Sequence, residues 1–325
     1  MITLRLKAME DIPQAAEIIQ QGGLVAFPTE TVYGLGADAL NCEAVLKIFE
    51  AKARPPTNPL IVHGASVEQL EPLVQSPGPL FYRILEQFAP GPVTLIVKKS
   101  DLVPSETTAG LDTVAVRIPA HRVALDLIQS AGRPIAAPSA NRSGFASPTT
   151  AQHVLDELDG LIDAVLDGGP CPVGIESTVV DISDGEFAIL REGAITGEML
   201  AEATGRSVTA RQGSPRSPGT SGRHYSTQTP LALARGWPED LAAKVEAMKD
   251  RTVVVIWPTD WPKTSAAHHV EWAEWKNDAG LAERLYAALR EADALHGDVI
   301  IVPLPDGRGL RSAIRDRLQR AQAIR

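Results

Sequence analysis

The sequence predicts a mixed α/β protein of two domains joined by a flexible linker. Short apolar segments alternate with amphipathic segments of helical period along most of the chain, which is typical of a sheet with flanking helices. The chain has 325 residues, more than one typical domain needs. Its composition changes between residues 206 and 229, where Gly, Ser, Pro, Thr and Arg predominate. We therefore expect a larger domain over residues 1–205, a linker over 206–229 and a smaller α/β domain over 230–325.

The apolar and periodic segments predict the individual elements. Strands are expected at residues 24–27, 60–63, 93–97, 114–118, 134–137, 164–166, 178–182 and 187–190, and after the linker at 231–234, 253–257 and 299–302. Helices are expected at residues 11–21, 43–54, 66–74, 79–88, 121–130 and 150–158, and after the linker at 241–248, 281–292 and 310–321.

Composition and charge exclude several classes of protein. A hydrophobic content of 44% with 22% charged residues is that of a soluble globular protein, and a net charge of -9 argues against a large nucleic-acid-binding surface. Cys42 and Cys171 lack the spacing of a zinc site or a disulfide framework, so we expect two reduced thiols. The chain has no apolar run of membrane-spanning length and no signal-peptide pattern, so we expect a cytoplasmic protein with no membrane partner.

Three apparent motifs do not indicate the sites they resemble. Residues 34–39 satisfy G-x-G-x-x-A, but they stand too far from the preceding strand and the following helix for a dinucleotide fingerprint. No G-x-x-x-x-G-K-[ST] sequence occurs, which excludes the common P-loop. His268 and His269 have no carboxylate or cysteine at ligand spacing, so we expect surface polar residues and not a metal site.

The stretch from Gly22 to Pro59 is the strongest candidate for chemistry. Its first strand is broken at Pro28, which leaves Thr29, Glu30 and Thr31 at the strand end, where open α/β sheets place their ligands. The helix that follows ends in Lys52 and Arg54 and is stopped by two prolines. Two cations on a stiff turn suit a polyphosphate.

Polar residues also stand beside several other strands. They are Arg117, Ser139, Asn141, Ser177, Thr178 and Arg191. An arginine in a core strand is costly to bury without a partner, so Arg117 and Arg191 either lie at strand ends in water or face an anion. Taken together, these residues favour one pocket for a carboxylate and phosphates.

These motifs, in this order, resemble those of the Sua5/YrdC/YwlC family, the threonylcarbamoyl-AMP synthases. The resemblance rests on Pro28-Thr29-Glu30-Thr31-Val32-Tyr33-Gly34-Leu35-Gly36, on the Lys52-x-Arg54-Pro55 turn with residues 58–63 behind it, and on Ala137-Pro138-Ser139-Ala140-Asn141. It covers residues 5 to 200, with a further similar stretch at residues 223–225. It implies the long, two-domain Sua5 form: a YrdC-like twisted open mixed sheet with flanking helices, and a smaller Rossmann-like C-terminal domain.

The resemblance also implies an activity and its substrates. Family members condense L-threonine, bicarbonate or CO2, and ATP into threonylcarbamoyl-adenylate and pyrophosphate, a nucleotidyltransferase reaction. The product serves the t6A modification of tRNAs that read ANN codons, so the implied partner is the tRNA threonylcarbamoyl-transferase machinery, with weak binding of tRNA itself. The implied cofactor is Mg²⁺, held mainly by the ATP phosphates because no acidic motif for it stands out.

By motif position, the resemblance assigns residues to each substrate. The residues expected around ATP are Lys52, Arg54, Asn58, Thr113, Ser139, Asn141, Ser147, Arg191 and Tyr225, with Lys52 and Arg54 as the catalytic pair. Those expected around threonine and its carbamate are Thr31, His63, Arg117, Ala137 and Ser177. Tyr225, with His224, is expected to close over the nucleotide, although the aromatic and methionine that often precede the pair in the family are absent from residues 218–223.

The mechanism needs no protein nucleophile, because positioning and electrostatics suffice. Whether His63 or Glu30 acts as a base during carbamate formation is left open by the sequence.

Two alternative functions remain at this point. One is a non-catalytic RNA-binding module, against which the acidic net charge and the lack of aromatics beside Lys52 and Arg54 argue. The other is a carbamoyl-transfer enzyme of the hydrogenase-maturation type, whose chains are larger and carry zinc-finger cysteines that this chain lacks.

Overall fold

A computed structural model describes residues 2–211, 216 and 224–322. The chain divides into two compact units: residues 1–143, 148–172 and 176–221 form the first, and residues 144–147, 173–175 and 222–325 form the second. Both units are mixtures of helices and strands, which confirms the predicted α/β class. The predicted boundaries at residues 205 and 229 stay predictions, because much of the linker lies outside the described residues.

The first unit is built on an 11-stranded mixed sheet. Its strands are β1 (Leu4–Lys7), β2 (Val25–Phe27), β3 (Gly34–Asp38), β4 (Ile61–His63), β5 (Val93–Lys98), β6 (Thr113–Arg117), β7 (Ile135–Ala136), β8 (Ala164–Asp167), β9 (Thr178–Asp181), β10 (Ala188–Arg191) and β11 (Thr209–Ala210). Their order across the sheet is β1-β8-β2-β3-β7-β4-β6-β5-β9-β10-β11. Strands β4 and β6 are parallel, whereas β5 and β6 are antiparallel.

Helices cover both faces of this sheet. They are α1 (Ile12–Gln20), α2 (Cys42–Lys52), α3 (Val67–Leu70), α4 (Pro79–Phe88), α5 (Arg122–Ala131), α6 (Ala151–Leu158) and α7 (Gly197–Thr204). Because successive strand residues point to opposite faces, β2 contributes to two apolar clusters. Val25 and Phe27 lie in one cluster with Ile19 of α1, and Ala26 lies in the other with Ile48 of α2. The sheet is therefore buried on both sides.

The second unit contains a four-stranded parallel sheet of order β12-β15-β13-β14. Its elements are β12 (Leu231–Ala234), α8 (Pro238–Glu246), β13 (Val253–Trp257), β14 (His268–Glu271), α9 (Asp278–Asp293), β15 (Val299–Pro303) and α10 (Leu310–Gln322). The apolar runs of β13 and β15 are buried along their whole length, as central parallel strands are. This agrees with the expected Rossmann-like arrangement.

The predicted secondary structure is wrong at several places. Strands β1, β3 and β14 were not predicted, and the helix expected over residues 66–74 is the short α3 followed by a 3-10 turn, Glu71–Leu73. Strand β11 lies inside the predicted linker and pairs with β10. Each missed strand is short or weakly apolar, so its partner strand, and not its own composition, decides its conformation.

Strand β3 shows why composition failed there. A side chain at Gly36 would meet the Phe27 ring at 2.7 Å and Ile135 at 2.8 Å, so the close packing of β2 and β7 against β3 requires glycine at this position. The glycines of residues 34–39 thus belong to a strand and not to a nucleotide-binding turn. Among the described residues, no helix is long and apolar enough to cross a membrane.

Candidate active site

A buried cationic turn follows helix α2. Asn41 caps the helix start by accepting hydrogen bonds from the backbone N–H groups of Glu43 and Ala44. The helix ends in the left-handed conformation at Ala53, whose φ is 47°. This reversal lies between Lys52 and Arg54, and both side chains are buried while Ala53 itself is exposed.

Main-chain carbonyl groups hold both cations. Lys52 Nζ donates to the carbonyl oxygens of Ser139 and Asn141, which brings two predicted ATP residues onto the turn. Arg54 donates through Nε to Asn58 O at 3.2 Å and through Nη2 to Pro59 O at 3.0 Å. Carbonyl oxygens orient the cations without cancelling their charge, so the turn is suited to bind an anion.

Burial disfavours the charged forms of these two groups. Burial, reinforced by the neighbouring Arg54, holds the pKa of the Lys52 ammonium well below its usual value. Burial and the nearby Arg191 lower the pKa of Arg54 to about 9. An anionic ligand would stabilise both charged forms, so the turn is a candidate anion-binding site.

Arg117 lies at the end of β6 and is only 4% exposed. Its Nη2 forms an ion pair with Glu30 Oε1 at 2.7 Å, and its Nε donates to Gly91 O at 3.4 Å. The sequence allowed Arg117 to lie in water or to face an anion. In the structure it faces an anion, the carboxylate of Glu30. The backbone N–H of Ala120 donates to the second oxygen, Oε2, of Glu30 at 3.1 Å.

His63 lies directly beside Arg117, because the two residues are register partners in β4 and β6. Its ring meets Phe27 edge-on with ring centroids 6.4 Å apart, and its Nδ1 lies 3.2 Å from Ile61 O. Burial and the charge of Arg117 lower the pKa of His63 to about 3. His63 is therefore a neutral imidazole at physiological pH and a weak base.

Ser177 is the centre of a second buried network. Arg191 donates to Ser177 through Nε to the carbonyl oxygen and through Nη2 to Oγ, both at 3.1 Å. Ser177 Oγ is also 2.7 Å from Thr94 Oγ1 of β5. Arg191 is 7% exposed, so it does not lie at a strand end in water. These contacts join a predicted ATP residue to a predicted threonine residue.

The remaining predicted residues of the first unit lie around the short strands β4, β6 and β7. Asn58 precedes β4, Thr113 begins β6 and Ala137 follows β7. The pairing of these strands puts all three residues at the same end of the strands. His63 and Arg117 lie at the opposite end, where β4 and β6 finish. Thr31 lies in the turn after β2, with its Oγ1 2.8 Å from Thr29 Oγ1.

Ser147 and Tyr225 belong to the second unit. Tyr225 is 1% exposed and has a left-handed backbone with φ of 65°. Its ring lies 4.3 Å from that of His224 and 5.5 Å from that of Tyr286 in α9, and the guanidinium of Arg317 in α10 lies 5.7 Å from its centroid. The other linker residues 217–223 lie outside the described part of the chain.

Sequence reasoning missed one residue of the site and one pairing. Glu30 was expected at the ligand-binding strand end and considered as a base, but its pairing with Arg117, 87 positions away, is visible only in the fold. Thr94 was not considered, although its place as a polar residue in an apolar strand after Pro90-Gly91-Pro92 was an available signal. Both lie beside residues that were predicted.

Within residues 2–211, 216 and 224–322, no group of three or more His, Cys, Asp or Glu side chains is placed to hold a metal ion. The polar groups described above are mainly cations and neutral oxygens, a donor set that fits a magnesium ion delivered with polyphosphate better than one bound by the protein alone.

Comparison with known proteins covers both units of the chain. A family model described as telomere recombination (Sua5, YciO, YrdC) matches residues 17–193, and one described as the threonylcarbamoyl-AMP synthase C-terminal domain matches residues 195–323. Threonylcarbamoyl-AMP synthase of Pyrococcus abyssi is 41% identical over 96% of this chain and 94% of its own length. The enzyme of that name from Bacillus subtilis is 41% identical over 95% and 92%.

The fold agrees as well. The crystal structure of P. abyssi Sua5 complexed with L-threonine superposes with a TM-score of 0.90 and 38% identity, over 99% of this chain and 98% of that one. The chain therefore belongs to the Sua5/YrdC/YwlC family, in the long, two-domain form of the threonylcarbamoyl-AMP synthases.

Proposed function

We propose that this protein is an L-threonylcarbamoyladenylate synthase, a nucleotidyltransferase that condenses L-threonine, bicarbonate or CO2, and ATP into threonylcarbamoyl-adenylate and pyrophosphate. The observation that carries the proposal is the presence of two buried cationic sites in one unit. The turn with Lys52 and Arg54 suits phosphates, and the site of Arg117 suits a carboxylate. The product would supply the t6A modification of tRNA, with the tRNA threonylcarbamoyl-transferase machinery as downstream partner and weak tRNA binding.

ATP would bind at the cationic turn and the residues around it. Lys52 and Arg54 would stabilise the negative charge that develops on the α-phosphate and the departing pyrophosphate, at about 3 kcal/mol for a well-aimed donor. The supporting ATP residues are Asn58, Thr113, Ser139, Asn141, Ser147, Arg191 and Tyr225. Mg²⁺, bound through the ATP phosphates, would neutralise part of the phosphate charge.

Threonine would bind through its three polar groups. Arg117 would donate hydrogen bonds to the carboxylate, and Thr31, His63 or Ser177 would form a hydrogen bond with the hydroxyl. The backbone of Ala137 would lie beside the carbamate. A neutral His63 can donate or accept a hydrogen bond without repelling substrate charge. The carbamate oxygen would then attack the α-phosphate in line with the leaving pyrophosphate.

The experiment that tests the proposal is pyrophosphate release from ATP by the purified protein with Mg²⁺ and bicarbonate. Release should require L-threonine, with kcat/KM for L-valine lower by about 10⁴-fold because a buried partner of the hydroxyl is left unpaired. L-Serine, which lacks only a methyl group, should lose about 10–200-fold.

Other outcomes would favour another function. Release that is independent of the amino acid, or no release at all, contradicts the proposal; salt-dependent RNA binding without ATP turnover would instead favour the RNA-binding module. Activity with carbamoyl phosphate in place of bicarbonate and threonine would favour a carbamoyl-transfer enzyme of the hydrogenase-maturation type.

A further inference from the structure

The ion pair between Glu30 and Arg117 puts a carboxylate beside the cation proposed to bind the substrate carboxylate. Glu30 is 6% exposed and its Oε1 lies 2.7 Å from Arg117 Nη2. The turn around it is fixed, because Thr29 Oγ1 accepts the backbone N–H groups of Thr31 and Val32 at 3.2 Å. Ala120 N holds its other oxygen. Glu30 is thus a rigid anion at the proposed threonine site.

The reaction requires an acceptor for a proton. Threonine arrives as an ammonium ion, but only the free amine attacks bicarbonate or CO2. With bicarbonate, the new N–C bond forms as a C–O bond breaks, the leaving hydroxide takes one ammonium proton to become water, and one further proton must go to a base. Adding a carboxylate as that base gives a balanced step: ammonium, bicarbonate and carboxylate yield carbamate, water and carboxylic acid.

The geometry directs the amine to Glu30. The amino group is attached to the carbon next to the substrate carboxylate, so a carboxylate held on the remaining N–H donors of Arg117 brings the amine to the side chain that already contacts Arg117. We propose that Glu30 accepts the threonine ammonium proton during carbamate formation. This rests on the proposed function and assigns the base for that same reaction.

The groups around Glu30 support this choice over His63. The other titratable or charged groups that face this region are Arg117, His63, His121 and Cys171. Burial raises the pKa of the Cys171 thiol, so the thiol stays protonated, and burial lowers the pKa values of His63 and His121, which weakens both imidazoles as bases.

The test uses Glu30→Gln in the full chain, with threonine-dependent pyrophosphate release measured from pH 7 to pH 9.5. We expect kcat at pH 7 to fall on the order of 10²-fold relative to wild type. The ratio of wild-type kcat to variant kcat should shrink at least tenfold by pH 9.5, because free threonine then arrives increasingly as the amine and needs no base. Effects of pH on the other groups act on both proteins and cancel in the ratio.

Asp38→Asn is the matched control. Asp38 is a buried carboxylate, 5% exposed, that pairs with Arg133 at 3.4 Å in the same unit. The ratio of wild-type kcat to the kcat of Asp38→Asn should stay near one at every pH. A Glu30→Gln loss that is the same at every pH would overturn the proposal and leave Glu30 a positioning residue for Arg117.

Glu30→Asp provides a second variant if the glutamine protein folds poorly. It keeps a carboxylate, so its kcat should show the pH dependence of wild type at a reduced level. A Glu30→Asp profile that rises with pH relative to wild type, as expected of the glutamine variant, would contradict the base role. Absence of threonine-dependent release by wild type would instead refute the proposed function itself.

Discussion

At the scale of single residues, the site is built from charged groups that the fold buries at a cost. Lys52 and Arg54 are held only by neutral carbonyl oxygens among their described hydrogen bonds, whereas Arg117 is neutralised by Glu30. Buried charges of this kind are concentrated where ligands of opposite charge bind. The two arrangements should therefore bind substrate differently. The ATP phosphates should be the first anions to contact Lys52 and Arg54, whereas the threonine carboxylate should contact Arg117 beside Glu30.

Binding of ATP should be linked to proton uptake. The pKa of Lys52 is held well below its usual value and that of Arg54 is lowered to about 9, and bound phosphates would raise both. Between the free and bound values the complex holds more protons, so ATP affinity should fall as pH rises, by up to about tenfold per pH unit for each proton taken up. Calorimetry at pH 8 to 9 in buffers of different ionisation enthalpy measures this uptake. Lys52→Met should remove much of it; an uptake equal to that of wild type would contradict the assignment.

His63 should make the protein less stable in acid. Its pKa is lowered from 6.5 to about 3 in the folded state, so between these values the unfolded chain binds a proton at His63 that the folded protein does not. The free energy of unfolding contributed by this group therefore falls as pH drops below 6.5, by at most about 1.4 kcal/mol per pH unit. Urea unfolding of His63→Gln between pH 4 and pH 6.5 should show a correspondingly smaller slope than wild type. His121→Gln should change the slope of unfolding free energy against pH less than His63→Gln does. His121 is only half-buried, and the nearby Glu30 opposes the lowering of its pKa.

Much of the residue-level site was accessible from the sequence, but its pairings were not. Lys52 and Arg54 were predicted to bind an anion because they stand on a stiff turn, and Arg117 because an arginine in a core strand is costly to bury without a partner. Arg117 was expected to hold a substrate carboxylate, and the structure adds Glu30 as its resident partner. Contacts between side chains so distant in sequence depend on strand order, which local patterns do not determine.

At the scale of elements, the end of helix α2 positions the cationic turn. The left-handed Ala53 between Lys52 and Arg54 turns the chain so that both flanking side chains are buried. The sequence predicted this helix and its stop at the prolines, as it predicted α4 at its observed bounds. It missed β3, because two glycines and one aspartate are typical of turns and not of strands. The requirement for glycine at position 36 follows only from the packing of Phe27 against it.

Ala53→Gly should stabilise the protein. A non-glycine residue in the left-handed region costs about 1 kcal/mol, and Ala53 is exposed, so glycine removes the strain without opening a cavity. Chemical unfolding should show a gain of up to about 1 kcal/mol, reduced by the greater entropy of glycine in the unfolded chain.

Gly132→Ala is the reciprocal control for this change. Gly132 ends α5 in the same conformation, with φ of 65°, and no atom lies within 4 Å of an added Cβ. Alanine there should cost about 1 kcal/mol through backbone strain alone. A neutral Gly132→Ala together with a destabilising Ala53→Gly would contradict the strain argument.

At the scale of the whole molecule, each unit has its own sheet and apolar core, and the His224–Tyr225 pair belongs to the second. The sequence predicted a flexible linker that carries this pair. In the structure the Tyr225 ring is buried against Tyr286 and below Arg317, so helices α9 and α10 fix its position. If Tyr225 contacts ATP as proposed, Tyr286 and Arg317 would hold the tyrosine in place for that contact.

Arg317→Met tests whether Arg317 positions Tyr225. Methionine replaces the apolar stem of the arginine side chain but lacks the cation over the Tyr225 ring. That cation–π interaction contributes about 0.5–2 kcal/mol. We expect the KM for ATP to rise several-fold with little change in the KM for threonine. Arg311→Met is the matched control, because Arg311 lies in the same helix and its guanidinium is 5.3 Å from the centroid of a different ring, that of Trp275. Thermal unfolding of both variants identifies general destabilisation. Equal effects of the two substitutions on the KM for ATP would show that Arg317 stabilises the domain without positioning Tyr225.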